Sequence, residues 1–511
     1  VDFNGDLDVD GTSNLDIVDI DGAVDMASTL VVASTINTVG ITGPKTNFVG
    51  SMLISNDAGT GTLNAASNNT GFGNQAFNVL TTGDSNVAIG ADALALNTTG
   101  SENVAVGKDA LDSNTSGDAN VAIGADALQG NTTADSNTAV GYAAMDTNST
   151  GAGNVAVGRA ALVANTTASD NVAVGISALA ANTTGLKNTA VGAYALDATT
   201  TVNELTAFGY NALTANTTGT TNTGIGAYVL QGNTEGASNT GVGYAAALTN
   251  TTGDNNTALG FFALGYNTTA DNNTAIGHNA LIANTTGANN TAVGKDALFA
   301  HTTGEYNVAV GATAGDALTT GSLNTALGYN TLGVATTAGN NTAVGGQALA
   351  VTTSGSGNTA VGVNCMVANT TGTNNTAVGM TAGDAITTGD FNVFIGKSSG
   401  GATTTADSNV SVGESSFLVN TTGASNTALG ANSLGSNTTA DDNTAVGKLA
   451  LYANTTAARN TAVGKSALDS ITTGGNNVGI GYVAGDAMTT AAGAVIVGYN
   501  GGQGASTAHQ Q

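Results

Sequence analysis

Residues 290–306 read NTAVGKDALFAHTTGEY, and the preceding residues 273–289 read NTAIGHNALIANTTGAN. The same pattern recurs with a step of 17 from residue 69 to residue 510, which makes 26 consecutive units with no insertion. We number the positions of each unit as slots 1 to 17, and the shared template is N-T-A-V-G-x-x-A-L-x-x-N-T-T-G-x-x. Strict self-similarity at a short period is the sequence signature of a repeat architecture.

The slots differ in how much variation they accept. Slot 5 is Gly and slot 4 is apolar in all 26 units, and slot 9 is Leu, Met or Phe in 20. Slot 1 is Asn in 24 units, and Leu205 and Ala494 are the exceptions. Slot 6 instead changes from unit to unit, so packing constrains slot 4 but leaves slot 6 free to vary.

The pattern predicts an all-β fold, a β-solenoid or β-roll of 26 coils with 17 residues each. Thr-Ala-Val at slots 2 to 4 has period 2, which is typical of a strand. Gly at slot 5 and Asn-Thr-Thr-Gly at slots 12 to 15 indicate turns, because Gly and Asn accept positive φ. Coils stacked at about 4.8 Å give a rod of roughly 125 Å, and stacked Asn side chains are expected to form ladders along it.

Along the strand, slots 2 and 4 face one way and slot 3 faces the other. We assign the large apolar residues of slots 4 and 9 to the interior, which is a thin core for so many ordered residues. Slot 3 then faces outward, yet it is nearly always Ala or Gly. Small residues on an outer face indicate close approach of another chain, so we expect a parallel homotrimer that forms a rigid fibre. The alternative is that tight curvature of the coil keeps slot 3 small.

Three units depart from the template in the same way. Gly315-Asp316, Gly383-Asp384 and Gly485-Asp486 remove the apolar residue of slot 9, and each unit has an apolar residue at slot 12 instead. We expect the core contact to move to that corner. A calcium site at these Asp residues is the alternative, but one carboxylate per coil supplies too few ligands.

Residues 1–68 lie outside the period and alternate Asp with Leu, Val and Ile. They predict an acidic, strand-rich region that caps the shaft and attaches it to a particle, because an open solenoid end exposes unpaired strand edges. Asp6, Asp8 and Asp10 resemble the start of an EF-hand loop, but Ile17 stands where the bidentate Glu belongs, so they are weak metal candidates. The shaft, residues 69–510, ends in a Gly-rich stretch, 499–511.

Composition excludes several classes of partner. The net charge is −26 and Lys plus Arg number only 9, so phosphate-rich nucleic acids and anionic membrane surfaces are poor partners. No apolar run reaches the length of a membrane-spanning helix, so we expect no membrane insertion. The single cysteine, Cys365, occupies slot 8, where most units have Ala, and a small buried thiol is the simplest interpretation.

The sequence contains no recognisable catalytic group, so we expect neither enzymatic activity nor a cofactor. His278, His301 and His509 lie in different slots and far apart along the rod, so they cannot meet in one site. The slots 13 and 14 carry Thr pairs, which are similar to the Thr arrays of ice-binding proteins. The Asn-Thr-Thr segments are also N-glycosylation sequons.

Slot 6 is the candidate contact surface, because it holds exposed aromatic and cationic side chains that can stack on sugars and bond to them. The alternative is an unconstrained corner after the Gly. The candidates are Tyr142, Arg159, Tyr210, Tyr244, Phe261, Tyr329 and Tyr482.

The segments NVAIG, NTAVG and NTAIG resemble the head repeat of trimeric autotransporter adhesins, whose heads are trimeric left-handed β-rolls. The longer unit of residues 69–510 more closely resembles the repeat arrays of bacteriophage tail fibres and related bacterial surface fibres. The resemblance implies a structural fibre for host attachment, located on a virion or at the cell surface. Its N-terminal region would join a virion baseplate or a cell-surface anchor, and its ligand would be a host surface glycan or protein. The alternatives are a bacterial extracellular fibre or adhesin and, less favoured, an ice-binding or polysaccharide-binding solenoid.

Overall fold

The computed structural model describes residues 40–42, 48–49, 52–55 and 65–502, and the regular secondary structure of these residues is strand. Each repeat contributes one short strand from slots 2 to 4. The strands are β1 (Gly40–Thr42), β2 (Phe48–Val49), β3 (Met52–Ser55), β4 (Ala66–Ser67), β5 (Thr70–Phe72), β6 (Val87–Ile89), β7 (Val104–Val106), β8 (Val121–Ile123), β9 (Thr138–Val140), β10 (Val155–Val157), β11 (Val172–Val174), β12 (Thr189–Val191), β13 (Thr206–Phe208), β14 (Thr223–Ile225), β15 (Thr240–Val242), β16 (Thr257–Leu259), β17 (Thr274–Ile276), β18 (Thr291–Val293), β19 (Val308–Val310), β20 (Thr325–Leu327), β21 (Thr342–Val344), β22 (Thr359–Val361), β23 (Thr376–Val378), β24 (Val393–Ile395), β25 (Val410–Val412), β26 (Thr427–Leu429), β27 (Thr444–Val446), β28 (Thr461–Val463), β29 (Val478–Ile480) and β30 (Val495–Val497).

The strands β5 to β30 form one parallel sheet in chain order, with each slot over its own copy in the next coil. Thr291 pairs with Val308, Ala292 with Ala309 and Val293 with Val310. The predicted all-β solenoid with one coil per repeat is therefore confirmed. A single inserted residue would shift every later side chain to the opposite face, which explains why the period never slips.

At the N-terminal end the sheet continues beyond the repeats. Strand β3 pairs in parallel with β5, and β1 pairs antiparallel with β3. The side chain of Leu53 in β3 is buried. Asp6, Asp8 and Asp10 lie outside the described residues, as does the rest of the chain before residue 40.

The interior holds slot 3, not slot 4, so our assignment of the two strand faces was wrong. Ala292 at slot 3 is fully buried, whereas its neighbours Thr291 and Val293 are only half-buried. Slots 3, 8 and 9 fill the narrow interior of the coil, as Ala292, Ala297 and Leu298 do in one unit. Because successive side chains of a strand point to opposite sides, Val and Ile at slot 4 point outward.

Phe394 shows that slot 3 faces inward. It is the one large aromatic residue at slot 3 in the described repeats, and its side chain is fully buried. Its ring occupies the space left by Gly at slot 9: a Cβ on Gly400 would lie 2.5 Å from Phe394 Cδ1, and one on Gly383 would lie 2.7 Å from Cδ2. Slots 3 and 9 therefore share one volume across neighbouring coils.

The three Gly-Asp units behave as predicted. Leu318, Ile386 and Met488 at slot 12 are all buried, so the core contact moves to that corner when slot 9 is Gly. In these units the large apolar side chain comes from slot 12 instead of slot 9, and the interior stays filled.

Slot 5 requires Gly for two reasons, its backbone conformation and the close approach of the next coil. Gly294 has φ +137, a region that side chains with a Cβ rarely adopt. A Cβ there would also lie 2.5 Å from the carbonyl oxygen of Gly311 in the next coil. The coils therefore approach each other backbone to backbone at this corner.

Asn at slot 1 forms a buried ladder, which confirms the expected stacking. The backbone N–H of Asn307 donates to Asn290 Oδ1 at 2.9 Å, and Asn307 Nδ2 donates to the same oxygen at 3.1 Å. Asn307 Nδ2 also donates to the carbonyl of Gly321 at slot 15, at 2.9 Å. Each of these side chains joins its own coil to the preceding one and also bonds to the slot-15 turn of its own coil.

Asn at slot 12 forms a second buried ladder. Asn267 Nδ2 donates to Asn250 Oδ1 at 2.7 Å and to the carbonyl of Ala270 at 2.9 Å. Slots 12 to 15 are thus more than a surface turn, because their Asn side chain is an interior hydrogen-bonding group. An amide in this position has no solvent-facing nitrogen to carry a glycan, so the folded coil does not present the sequon.

The slot-12 ladder is interrupted, and each interruption leaves an acceptor without a partner. The following coils hold Thr199, His301, Ile386 and Ile471 at slot 12, and none of them provides an amide donor. The unpartnered oxygens belong to the last Asn before each interruption. They are the Oδ1 atoms of Asn182, Asn284, Asn369 and Asn454.

We expect Gly345→Ala and Gly346→Ala to differ sharply in stability. Gly345 has φ +119, and a Cβ would meet the Gly362 carbonyl at 2.7 Å, whereas a Cβ on Gly346 meets nothing within 4 Å. Gly345→Ala should lower the free energy of unfolding by about 1–3 kcal/mol, and Gly346→Ala should leave it nearly unchanged. Urea unfolding followed by circular dichroism measures both, and equal stability of the two variants would contradict the stacking at slot 5.

We also expect Thr199→Asn to raise stability, because the introduced amide would join two ladder segments. That amide could donate to the unpartnered oxygen of Asn182 and accept from Asn216, which should add about 1 kcal/mol. The matched reverse change, Asn131→Thr, removes the donor that reaches Asn114 Oδ1 at 2.8 Å and should destabilise by about 1–3 kcal/mol. Thermal melting of both variants checks the signs, and the ladder is not a stabilising element if both shift in the same direction.

Candidate functional site

Slot 6 begins the turn after the invariant Gly and is an exposed corner of the coil. The side chains predicted from sequence are all exposed there: Tyr142, Arg159, Tyr210, Tyr244, Phe261, Tyr329 and Tyr482. Their placement agrees with the prediction, and their role in contacts stays a prediction.

The fold brings some of these side chains together in a group that we call the aromatic corner. It spans six consecutive coils, 188–289, and joins rings from slots 6, 7 and 11. Its members are Tyr194, Tyr210, Tyr228, Tyr244, Phe261, Phe262, Tyr266 and His278. Tyr142, Arg159, Tyr329 and Tyr482 lie outside this group.

Sequence reasoning missed five of the eight members of the aromatic corner because it compared one slot at a time. In the coils where slot 6 is Ala193 or Ala227, the next residue, Tyr194 or Tyr228, supplies the ring from slot 7. The row is therefore continuous in space although no single slot is aromatic throughout. The available signal was the alternation of aromatic residues between two adjacent slots in successive units.

The ring geometry follows from the slots. Tyr194, Tyr210, Tyr228 and Tyr244 alternate between slots 7 and 6, and successive rings meet edge to face, with centroids 5.4–6.1 Å apart and interplanar angles of 73–83°. Where slot 6 is aromatic in consecutive coils, the rings stack instead. Tyr244 and Phe261 are 5.4 Å apart at 13°, because identical slots repeat in register.

The aromatic corner carries almost no charge. Slots 5 to 11 of the five coils over 205–289 contain no Asp, Glu, Lys or Arg, although the whole chain has a net charge of −26. Charged groups appear at its two ends. Asp197 lies at slot 10 of the coil that holds Tyr194 and accepts a hydrogen bond from Thr214 Oγ1 at 2.9 Å. At the other end His278 Nδ1 lies 3.8 Å from Asp296 Oδ1 and Lys295 Nζ lies 3.3 Å from Asp296 Oδ2. Between these ends the corner is a locally neutral, polar-aromatic strip.

A second, smaller aromatic contact lies near the C-terminal end of the described shaft. Tyr482 and Tyr499 stack with centroids 5.3 Å apart, and Lys465 Nζ lies 5.4 Å from the Tyr482 centroid. This pair shows the same stacking of slot 6 over slot 6, but only two rings take part.

The outward side of the sheet is a further candidate surface, which we call the strand face: slots 2 and 4 of β5 to β30. Slot 2 is Thr or Val and slot 4 is apolar in every one of these strands. Several slot-4 side chains are largely exposed, such as Phe72 at 57% and Ile225 and Leu259 at 44%. A long uncharged apolar face of this kind marks an interaction surface.

The potentially reactive groups lie apart and most are buried. Cys365 Sγ is buried near the carbonyls of Ala377 and Ala382, at 3.3 and 3.5 Å, and burial raises the pKa of the thiol to about 12. The prediction of a small buried thiol is confirmed, and such a thiol is not a nucleophile at neutral pH. Burial also lowers the pKa of His301, whose Nε2 lies 2.8 Å from the Gly304 carbonyl.

Within the described ranges, no group of three or more His, Cys, Asp and Glu side chains could hold a metal ion. Asp316 and Asp384 of the Gly-Asp units lie in separate, distant coils, and burial raises the pKa of each carboxyl. The weak candidates Asp6, Asp8 and Asp10 are not among the residues that the structure describes.

The Thr pairs of slots 13 and 14 differ in what their hydroxyls do. At slot 13 the hydroxyl commonly donates to the carbonyl of the same slot in the next coil, as Thr285 Oγ1 does to the Thr302 oxygen at 3.1 Å. Only slot 14 is regularly exposed. One hydroxyl of each pair is therefore used in bonding between coils. This differs from the Thr arrays of ice-binding proteins, to which the sequence pattern was compared.

No known protein-family profile matches the chain, and no curated protein sequence matches it significantly. The described part of the chain contains no helix with the length and apolar character needed to span a bilayer.

Proposed function

We propose that the chain is a structural fibre protein whose copies pack side by side along the strand face to form a rigid shaft for host or surface attachment. The observation that supports it is the strand face itself. Its slot-4 residue is apolar in all 26 strands from β5 to β30, although the side chain points away from the interior of the coil. A column that faced water along its whole length would be expected to vary as slot 6 does.

Slot 4, and not slot 3, carries the expectation of self-association. Ala at slot 3 is small because the coil interior is narrow, so its size carries no information about a neighbouring chain. Slot 4 indicates a neighbouring chain instead, because its side chain points outward and is apolar in every repeat. The expectation of self-association therefore rests on a different residue of the same strand.

The strand face is large enough for a stable interface. Two outward residues per strand give a width of about 7 Å, and the stack is about 120 Å long, which makes on the order of 800 Å² per chain. Stable protein interfaces bury about 800 Å² on each partner. Packing along this face would also add the apolar burial that a thin solenoid core lacks.

Three parallel copies around one axis close the assembly and cover every strand face. A closed cyclic arrangement leaves no face open, and the resemblance to the heads of trimeric autotransporter adhesins favours three. The straight, in-register sheet supports stiffness, because bending would break ladders of buried hydrogen bonds on one side.

A long fibre can hold its contact surface at a distance from the point where it is anchored. We propose a viral tail fibre in which the N-terminal region joins a virion baseplate and the shaft presents contacts to a host surface glycan or protein. A bacterial extracellular fibre or adhesin with a cell-surface anchor is the alternative. Purified virions would carry the first in fixed stoichiometry, whereas uninfected cells would carry the second.

One observation favours a second candidate, ice binding. The strand face is an in-register stack of parallel strands and has Thr at slot 2 in 16 of the 26 strands from β5 to β30. Both functions need the same face, so a chain that buries it in an oligomer cannot offer it to ice. Thermal hysteresis together with the native mass separates the two.

We expect the unmodified chain to sediment at three times its 49.2 kDa mass. The triple variant Val293→Glu, Val310→Glu and Leu327→Glu places charges on the strand face and should weaken association at least about tenfold, because buried like charges are costly. Circular dichroism should show intact coils, since these side chains point outward. Analytical ultracentrifugation over a concentration series measures the association.

The matched control places Glu at slot 6 of the same three coils: Lys295→Glu, Ala312→Glu and Tyr329→Glu. It should leave the oligomer intact. A stable monomer of the unmodified chain, or equal dissociation of the two triple variants, would contradict the proposed interface.

A further inference from the structure

We propose that the aromatic corner is a binding site for an uncharged polysaccharide that lies along the rod axis. This proposal deepens the attachment role by naming a ligand class and a site, and it does not depend on the number of chains in the fibre, because all eight rings belong to one chain.

The first step is that the rings are exposed and clustered. Tyr210 and Tyr244 are 45% and 47% exposed, and Phe261 and Tyr266 are 46% and 49% exposed. Elsewhere in the shaft slot 6 holds unrelated residues with no continuous aromatic row. Half-exposed rings concentrated in six coils are an apolar surface patch of the kind that marks a binding site.

The second step concerns the chemistry of the rings. Tyrosine rings pack against the C–H faces of sugars, and their hydroxyls exchange hydrogen bonds with sugar hydroxyls. The edge-to-face run Tyr194, Tyr210, Tyr228 and Tyr244 supplies four phenol groups in successive coils. Asn211 and Gln231 in the same coils add uncharged hydrogen-bonding side chains.

The third step concerns shape. Six coils at about 4.8 Å span about 24 Å along the axis, while the row is only one or two residues wide. A linear polymer matches a long, narrow strip and can touch a ring at each step. A folded protein domain instead meets a broad patch with a central cluster of anchoring residues.

The fourth step concerns charge. Over slots 5 to 11 of coils 205–289 the strip has no Lys or Arg to attract an anionic polymer and no carboxylate to attract a cationic one. The carboxylate of Asp197 in the first coil accepts a hydrogen bond from the Thr214 hydroxyl. The net charge of −26 would repel an acidic polysaccharide at low salt. An uncharged chain avoids both penalties.

The test compares two double variants of the full-length protein. Tyr210→Ala with Tyr244→Ala removes two rings of the aromatic corner. Tyr142→Ala with Tyr329→Ala makes the same change at the same slot outside it. Binding to a soluble neutral glucan, a neutral galactomannan and the anionic polysaccharide alginate is measured by affinity electrophoresis and by tyrosine emission.

We expect the unmodified protein to bind at least one neutral polymer and not alginate. The corner variant should bind about tenfold more weakly, which corresponds to about 1.4 kcal/mol, and the control variant should bind as the unmodified protein does. Equal binding by the two variants, binding to alginate alone, or no binding to either neutral polymer would overturn the proposal. Native mass measured on the same samples shows separately whether the fibre assembles.

Discussion

The buried asparagine of slot 1 is the interaction on which the rest of the structure depends. Its side-chain oxygen accepts the backbone N–H of the same slot in the next coil, and its amide nitrogen donates to the slot-15 carbonyl of its own coil, as in Asn290 and Asn307. These groups are fully enclosed, so a missing partner costs about 1–3 kcal/mol. The bond is satisfied only if the backbone N–H of slot 1 in the next coil arrives after the same number of residues. The fixed period, the in-register sheet and the register of every outward side chain follow from that requirement.

The interior of such a coil is narrow. Leu298 at slot 9 packs there with Ala292 and Ala297, while the apolar residue of slot 4 lies on the outer side of the strand. The same constraint thus produces a stable interior and an apolar exterior column. It links the repeat to the proposed self-association, because a long exposed apolar face marks an interaction surface. The slots that do not pack in the interior vary from coil to coil. The residues of the aromatic corner lie at such variable slots.

Much of this architecture could be predicted from the sequence, because it depends on what repeats. The period, the Gly at slot 5, the Asn ladder and the move of the core contact to Leu318 all follow from comparing units. Which face of the strand is interior could not be predicted in this way. Alternation shows that slots 3 and 4 point in opposite directions, but it does not show which of them points into the coil. Size suggested the wrong answer, since a narrow interior selects Ala. The contact between Tyr194 and Tyr210 joins different slots of different coils, so it appears only when the coils are stacked.

Thiol accessibility at three slots of one coil would show directly which side of the strand is interior and which is covered by another chain. In a Cys365→Ser background, Ala292→Cys, Val293→Cys and Lys295→Cys report slots 3, 4 and 6. The account predicts that the first stays unreactive while the chain is folded and that the third reacts rapidly. It also predicts that Val293→Cys is protected in the assembled fibre and becomes reactive when dilution separates the chains. A thiol at position 293 that reacts in the intact fibre as fast as one at position 295, or a reactive thiol at position 292, would contradict the account.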